Sequence, residues 1–198
     1  MPYLHGTRVA LRDLWPMDAV SLSALLTTSS VTRFILPPPR DLKGFRDFIA
    51  WTRGEQRAGR QSCFAMVPHG HDRAAGLIQI RRLAASAGTA EWGFVLGQRF
   101  WGTGVFVESA TMVLDFLFAK AGIHRLEART AVANPRGNGV LHKLGFHREW
   151  TYSGAFVKDG ERFDEALWSI TAERWKRARI ELSAPTTRST ADIHSPAH

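Results

Sequence analysis

Cysteine is nearly absent. Cys63 stands alone in 198 residues, so no internal disulfide and no multi-cysteine metal site can form. Long apolar runs are missing too. The best candidate, residues 110–121, is interrupted by Asp115 and Lys120 and falls short of the roughly 20 residues that a membrane span needs. The opening Met1-Pro2-Tyr3-Leu4-His5-Gly6 has neither a basic start nor an apolar stretch, so no secretory signal is expected. Glycine (17) and proline (9) occur at ordinary frequency, which excludes collagen-like and low-complexity chains. Acidic residues are the remaining shortage, 18 against 26 Lys and Arg, for a formal net charge of +8. These features describe one globular domain expected in the cytoplasm, with no membrane partner and with a monomer or homodimer equally open.

What is present says more. The basic excess suits either a solvated surface or a phosphate-bearing ligand. Nucleic acid ranks third. The bases are scattered from Arg8 to Arg179 without a block of five, and no element interleaves bases with aromatics. Periodicity predicts a strand at residues 7–14, a helix to about Thr28, and a second helix over 41–60. Strands follow at 62–67, 74–83 and 89–96, then a long amphipathic helix over 102–121. A strand at 124–131, a short helix at 138–144 and a hairpin turning at Asp159-Gly160 complete the pattern. A trailing helix at 175–182 precedes a polar stretch, 183–198, expected to be disordered. Helices among mixed strands make this an α/β (α+β) chain. His69-Gly70-His71 has metal-like spacing but falls in a predicted turn without a third ligand nearby, so no metal is expected.

The segment Glu91-Trp92-Gly93-Phe94-Val95-Leu96-Gly97-Gln98-Arg99-Phe100-Trp101-Gly102-Thr103-Gly104 runs a strand through a short loop into the long helix. Unpaired N–H groups at a helix start bind phosphate, and glycine lets an anion approach the backbone. The third glycine of a dinucleotide fingerprint is replaced by Val107, and no P-loop Lys-Ser/Thr follows.

Arg99-x-x-Gly102-x-Gly104 resembles the acyl-CoA pyrophosphate signature of GCN5-related N-acetyltransferases (GNAT). The longer Gln98-to-Gly104 form is similar to that of the RimJ/RimL-type ribosomal-protein N-terminal acetyltransferases. Three further segments agree in order: the strand at residues 6–12, Asn134-Pro135-Arg136-Gly137-Asn138 through Gly145-Phe146, and the hairpin at 158–168. The resemblance covers residues 5–175. It implies a single GNAT-like domain with a mixed, largely antiparallel sheet splayed at the acyl-CoA site and flanked by helices.

The same resemblance assigns the binding residues. Amides from Arg99, Phe100, Trp101, Gly102, Thr103 and Gly104 would hold the pyrophosphate of acetyl-CoA, the co-substrate. Main chain of Phe94, Val95 and Leu96 would pair with the pantetheine arm. Asn134 would lie near that arm, and Arg136 or Lys143 would either reach CoA phosphates or remain surface charges. In the family a Ser or Ala often stands three residues after the Asn, and a Tyr seven after it protonates the leaving thiolate. Gly137 and Leu141 occupy those positions with no proton to give, so the general acid is unassigned. Tyr152 and Ser109 carry hydroxyls, but nothing in the sequence brings them to the sulfur.

Acetyl transfer to an amine needs a neutral nitrogen, an oxyanion donor and a proton acceptor. An α-amine, with a pKa of about 8, is roughly a tenth neutral at pH 7, so a modest base acting through water suffices. Glu91 heads the strand that feeds the cofactor loop and is the candidate base, with an Arg-paired strand carboxylate as the other reading. The amide of Val95 is the expected oxyanion donor. Phe34, Ile35 and the Pro37-Pro38-Pro39 run would border the acceptor groove. The expected function is acetyl transfer to a protein N-terminal α-amine. A small-molecule amine (antibiotic, polyamine or amino acid) and a non-catalytic acyl-CoA module are the alternatives.

Overall fold

The computed structural model describes residues 2–84 and 86–183. Eight strands form one sheet: Leu4–His5 (β1), Val9–Arg12 (β2), Gln61–Pro68 (β3), Gly76–Arg82 (β4), Thr89–Leu96 (β5), Arg125–Ala131 (β6), His147–Lys158 (β7) and Glu161–Thr171 (β8). Their spatial order is β1-β2-β3-β4-β5-β6-β8-β7. Every neighbour is antiparallel except β5 and β6. The helices are Asp18–Leu26 (α1), Ser29–Thr32 (α2), Leu42–Arg57 (α3), Val105–Lys120 (α4), Pro135–Lys143 (α5) and Ala172–Ser183 (α6).

The sheet separates two cores, and β3 shows how. Its side chains alternate faces, as the pleat requires. Phe64 and Met66 join one core with Val113, Leu114 and Leu117 of α4, while Cys63, Ala65 and Val67 join another with Leu22 of α1 and Ile49 of α3. A strand buried on both faces reads as a continuous apolar run, which is how residues 63–68 read. Burial also pushes the Cys63 thiol pKa up, so this lone cysteine offers no thiolate.

Local chemistry sets the helix ends. Asp41 caps α3 by accepting from Gly44 N–H at 2.7 Å. Asn134 caps α5 by accepting from Gly137 N–H at 3.0 Å, with Pro135 in the first turn, where no N–H is needed. The long helix begins at Val105 rather than at 102 because Gly102 (φ 75°) and Gly104 (φ 85°) adopt left-handed backbone that ends the preceding loop.

Two elements went unread in the sequence. β1 is only two residues long, and α2 is a four-residue turn before the prolines. The first long strand is also shorter than expected, because Asp13 onward turns toward α1. The trailing helix starts at Ala172 and runs through Ser183, burying Trp175 and Ala178. The remainder of the expected polar tail lies outside the described residues. Among the described residues, no helix is long and apolar enough to cross a membrane.

Candidate active site

The two parallel strands part company. β5 pairs with β6 only from Thr89↔Arg125 to Glu91↔Glu127. Beyond that, β5 continues against β4 to Leu96, and β6 continues against β8 to Ala131. The sheet therefore forks after Glu91.

Register decides which main-chain groups face the fork. Gly97 N–H donates to Ala75 C=O at 2.9 Å and Leu83 N–H to Thr89 C=O at 3.0 Å, flanking an unbroken β4–β5 register. Hydrogen-bonded pairs alternate with non-bonded ones along an antiparallel ladder, so Val95 exchanges its bonds with Leu77. The main-chain groups of Trp92, Phe94 and Leu96 point the other way, into the fork. This corrects the expectation for Val95. Its amide is committed to β4 and cannot meet an oxyanion, while Phe94 and Leu96 present the fork-facing main chain. The Leu96 carbonyl already accepts the Trp101 indole N–H at 2.9 Å.

Two cavities open from the fork and share Phe34, Ile35, Phe94, Val95 and Asn134 as common wall. The first, about 420 Å³, runs along the loop into α4. Leu96, Phe100, Trp101, Gly102 and Gly104 line it. Gly102 has nothing within 4 Å of where a Cβ would stand, so space remains beside the backbone. The N-cap residue Gly104 has no side chain to cap α4; Val105 N–H donates to the Thr103 hydroxyl at 3.4 Å, and the other first-turn amides are left for an anion. Arg99 and Thr103 are not on the wall. Arg99 stacks on Phe100 at 4.6 Å, and the Thr103 hydroxyl turns back to the Phe100 carbonyl at 2.7 Å.

The second cavity, about 680 Å³, lies on the α1/α3 side. Its walls come from residues 34–39, from Phe45 and Phe48 of α3, and from Phe156 and Val157 of β7. Phe34 and Ile35 line this cavity and the first as well. Trp92 lines the same cavity, stacks on Phe146 at 5.4 Å, and has a buried indole N–H without a protein partner.

Glu91 sits at the closed end of the fork and lines neither cavity. Its Oε2 accepts from Arg81 at 2.5 Å, and its side chain is about a quarter exposed. The Arg-paired arrangement is thus present. Any proton reaching Glu91 from the cavity has to travel through water. Of the hydroxyls left open in the sequence, that of Ser109 donates to Val105 C=O, and the Tyr152 ring packs under the Arg129 guanidinium.

A family profile for the acetyltransferase (GNAT) domain matches residues 8–147. The chain belongs to the GNAT acetyltransferase family. An uncharacterized N-acetyltransferase of Bacillus licheniformis, p20, is 26% identical over 171 residues, spanning 86% of this chain and 96% of that protein. The [ribosomal protein uS5]-alanine N-acetyltransferase of Escherichia coli is 29% identical over 87 residues, 44% of this chain and 45% of its own length. Among solved structures, the microcin C7 self immunity acetyltransferase MccE in complex with acetyl-CoA and AMP superposes with a TM-score of 0.75. It is 17% identical, and the match covers 84% of this chain and 93% of that one. The RimJ/RimL likeness of the motifs agrees with the ribosomal-protein relative, and this GNAT protein is an N-acetyltransferase.

Several wall residues of the GNAT site escaped sequence reasoning. Ser30 and Val31 reach the first cavity because α2 folds toward the loop, where Ser30 donates to the Gln98 side chain. Arg136 and Lys143, which the sequence left open between CoA phosphates and the surface, line the same cavity, and the Arg136 guanidinium lies 4.2 Å over Trp101. Arg129 and Glu165 line the second cavity from β6 and β8. Only the loop glycines carried a local signal. The others depend on which strands become neighbours.

Proposed function

We propose that this GNAT enzyme moves the acetyl group of acetyl-CoA to an α-amine, most simply the N-terminus of a polypeptide in the cytoplasm. The observation that carries this reading is the fork, whose open edge serves both cavities. The α4 first-turn amides beyond Val105 and the clear side of Gly102 suit the CoA pyrophosphate. Phe94 and Leu96 suit main-chain pairing with the pantetheine amides. The arm would then deliver the thioester to the shared wall, where the acceptor nitrogen enters from the larger cavity.

In this reading the amine nitrogen attacks the thioester carbonyl, the C–N bond forms, and the C–S bond breaks. A fork-facing amide, that of Phe94, stabilises the developing oxyanion. The nitrogen loses its proton to water, and Glu91 is the proposed final acceptor along that water path. The CoA sulfur leaves as thiolate, which a thiol pKa near about 8.5 permits close to neutrality.

A small amine is the second reading, and one contact favours it. The Lys158 ammonium, at the β7–β8 turn, donates to the Thr32 carbonyl and so ties the strand carrying Phe156 and Val157 to the segment just before Phe34. The test is free-thiol release from acetyl-CoA against peptides with free and blocked N-termini and against small amines. Turnover that requires a free peptide N-terminus supports the first reading, and turnover with small amines alone overturns it.

A further inference from the structure

Two side chains carry charge on the wall of the acceptor cavity, and they are partners. Among the described residues lining it, Arg129 and Glu165 are ionic and the rest are apolar or neutral. They stand on one face of the sheet. Ala131 is opposite Glu165, which is opposite Tyr152, and Arg129 lies two residues from Ala131 along β6. Arg129 Nη1 meets Glu165 Oε2 at 3.1 Å, and its guanidinium lies over the Tyr152 ring at 5.1 Å. Burial works against the charge on Arg129, but Glu165 and then Tyr152 outweigh it and raise its pKa. One hydrogen bond joins Arg129 to Glu165. The other Glu165 oxygen and the guanidinium N–H groups not taken by Glu165 and Tyr152 can still serve a ligand.

We infer that Glu165 holds the ammonium, and Arg129 the neighbouring carbonyl oxygen, of an α-amino acceptor whose bulky apolar side chain seats among Phe34, Phe48 and Phe156. This rests on the proposed acetyl transfer and names its substrate class. An ion pair presents adjacent opposite charges, and an α-ammonium beside a carbonyl or carboxylate presents the complementary set. A polyamine or aminoglycoside needs several carboxylates, and this wall has one, already shared with Arg129. A plain alkylamine would satisfy Glu165 but leave Arg129 without an oxygen to hold. The aromatic walls add the second criterion. A cavity of about 680 Å³ bounded by Phe34, Phe45, Phe48 and Phe156 leaves unfilled space around a methyl group and makes contact with an aromatic or branched side chain. Glu165 and Arg129 act as positioning residues for the acceptor. The proton path remains that of Glu91.

The α-amine can come from a free amino acid or from a peptide end, and the experiment separates them. Thiol release would be measured at saturating acetyl-CoA with the tripeptides Phe-Ala-Ala and Ala-Ala-Ala, free phenylalanine, phenylalanine amide and phenethylamine. Binding of the same compounds to the CoA-loaded protein would be titrated in parallel. We expect the phenylalanine acceptors to exceed the alanine one by about 10–200-fold in kcat/KM. Phenylalanine amide should exceed phenethylamine, which lacks the carbonyl. Glu165→Gln and Arg129→Gln should raise KM far more than they lower kcat, with acetyl-CoA affinity unchanged. Phe156→Ala should erase the side-chain preference, with a melting curve confirming that each variant is folded. Equal kcat/KM for the two tripeptides, or for the amide and phenethylamine, would overturn the inference while leaving acetyl transfer intact. Selective binding without acetylation would keep the recognition and remove the proposed function. Loss of both would remove both.

Discussion

Glu91 on β5 and Glu127 on β6 are the last register partners before the two strands separate, and each carboxylate meets a guanidinium, that of Arg125 being shared with Glu149. Arg81 holds Glu91 at 2.5 Å, and Arg125 holds Glu127 at 2.9 Å. Like charges directly across a sheet are destabilising, so these two arginines are what let the strands stay paired there. One residue later the pairing ends and the cleft begins. The ionic cluster thus marks the base of the active-site fork.

That position makes Glu91→Gln the sharpest mechanistic test. The amide keeps the size and can still accept from Arg81, but it takes no proton near neutral pH. With Glu91 at the end of a water path, kcat should fall by something on the order of 10²–10⁴, with acetyl-CoA affinity unchanged. The loss should shrink as pH rises, because more of the acceptor amine is already neutral. Superimposable pH–rate profiles for the two proteins would assign Glu91 to holding Arg81 alone.

Gly104→Val should separate cofactor binding from folding. At φ 85° a β-branched residue is strained by about 1–3 kcal/mol, and its Cβ would stand 3.3 Å from Arg8 Nε. The side chain also intrudes where the α4 amides would receive phosphate. We expect a modest drop in melting temperature and a larger loss of acetyl-CoA affinity by titration. Normal affinity in a folded Gly104→Val protein would move the phosphate site elsewhere.

Arg12 and Asp18 form the buried ion pair of the fold, bonded at 2.7 and 2.9 Å. Asp18 also accepts from the amides of Trp15 and Ala74. Burial raises the Asp18 pKa, but the Arg12 bond and the two amides outweigh it, so the net shift is downward. A lowered carboxylate pKa gives stability that is present above the unfolded value of about 3.9 and is lost as pH falls through the folded value. Asp18→Asn should cost about 3–5 kcal/mol near neutrality, because Arg12 is left buried without its counter-charge. Denaturant titrations from pH 7 down to about 3 should show a shallower acid slope for the variant than for the wild type. An unchanged midpoint at pH 7 would contradict the pair's importance.

Gly137→Ser would restore a hydroxyl at the position where the resembling enzymes often carry one. A Cβ there would fall 2.6 Å from Asn134 Nδ2, so the cap must swing aside. Loss of that cap should destabilise by about 1 kcal/mol. Activity should not improve, because the displaced Asn134 belongs to the wall common to both cavities. Higher turnover at unchanged stability would identify the hydroxyl as a working general acid.

The glycine-rich turn was legible in local sequence. Gly102 and Gly104 mark it because their effect acts within a few residues, although the helix expected from 102 begins at Val105 and the one expected from 138 begins at Pro135. The order of strands and helices was legible for the same reason, through periodicity and turn residues. Short pieces such as β1 and α2 were not, since two or four residues hold no period. Which main-chain groups face the cleft depended on the β4–β5 register, and a shift of one residue would have exchanged Val95 with Phe94. The acceptor wall was further from reach. Arg129 and Glu165 are 36 residues apart and meet only because β8 inserts between β6 and β7. Sequence by itself determined the elements and the glycine-rich turn, whose physics is local. Tertiary structure alone decided the fork, the paired charges and the aromatic chamber, because each depends on strands that become neighbours only when the sheet closes.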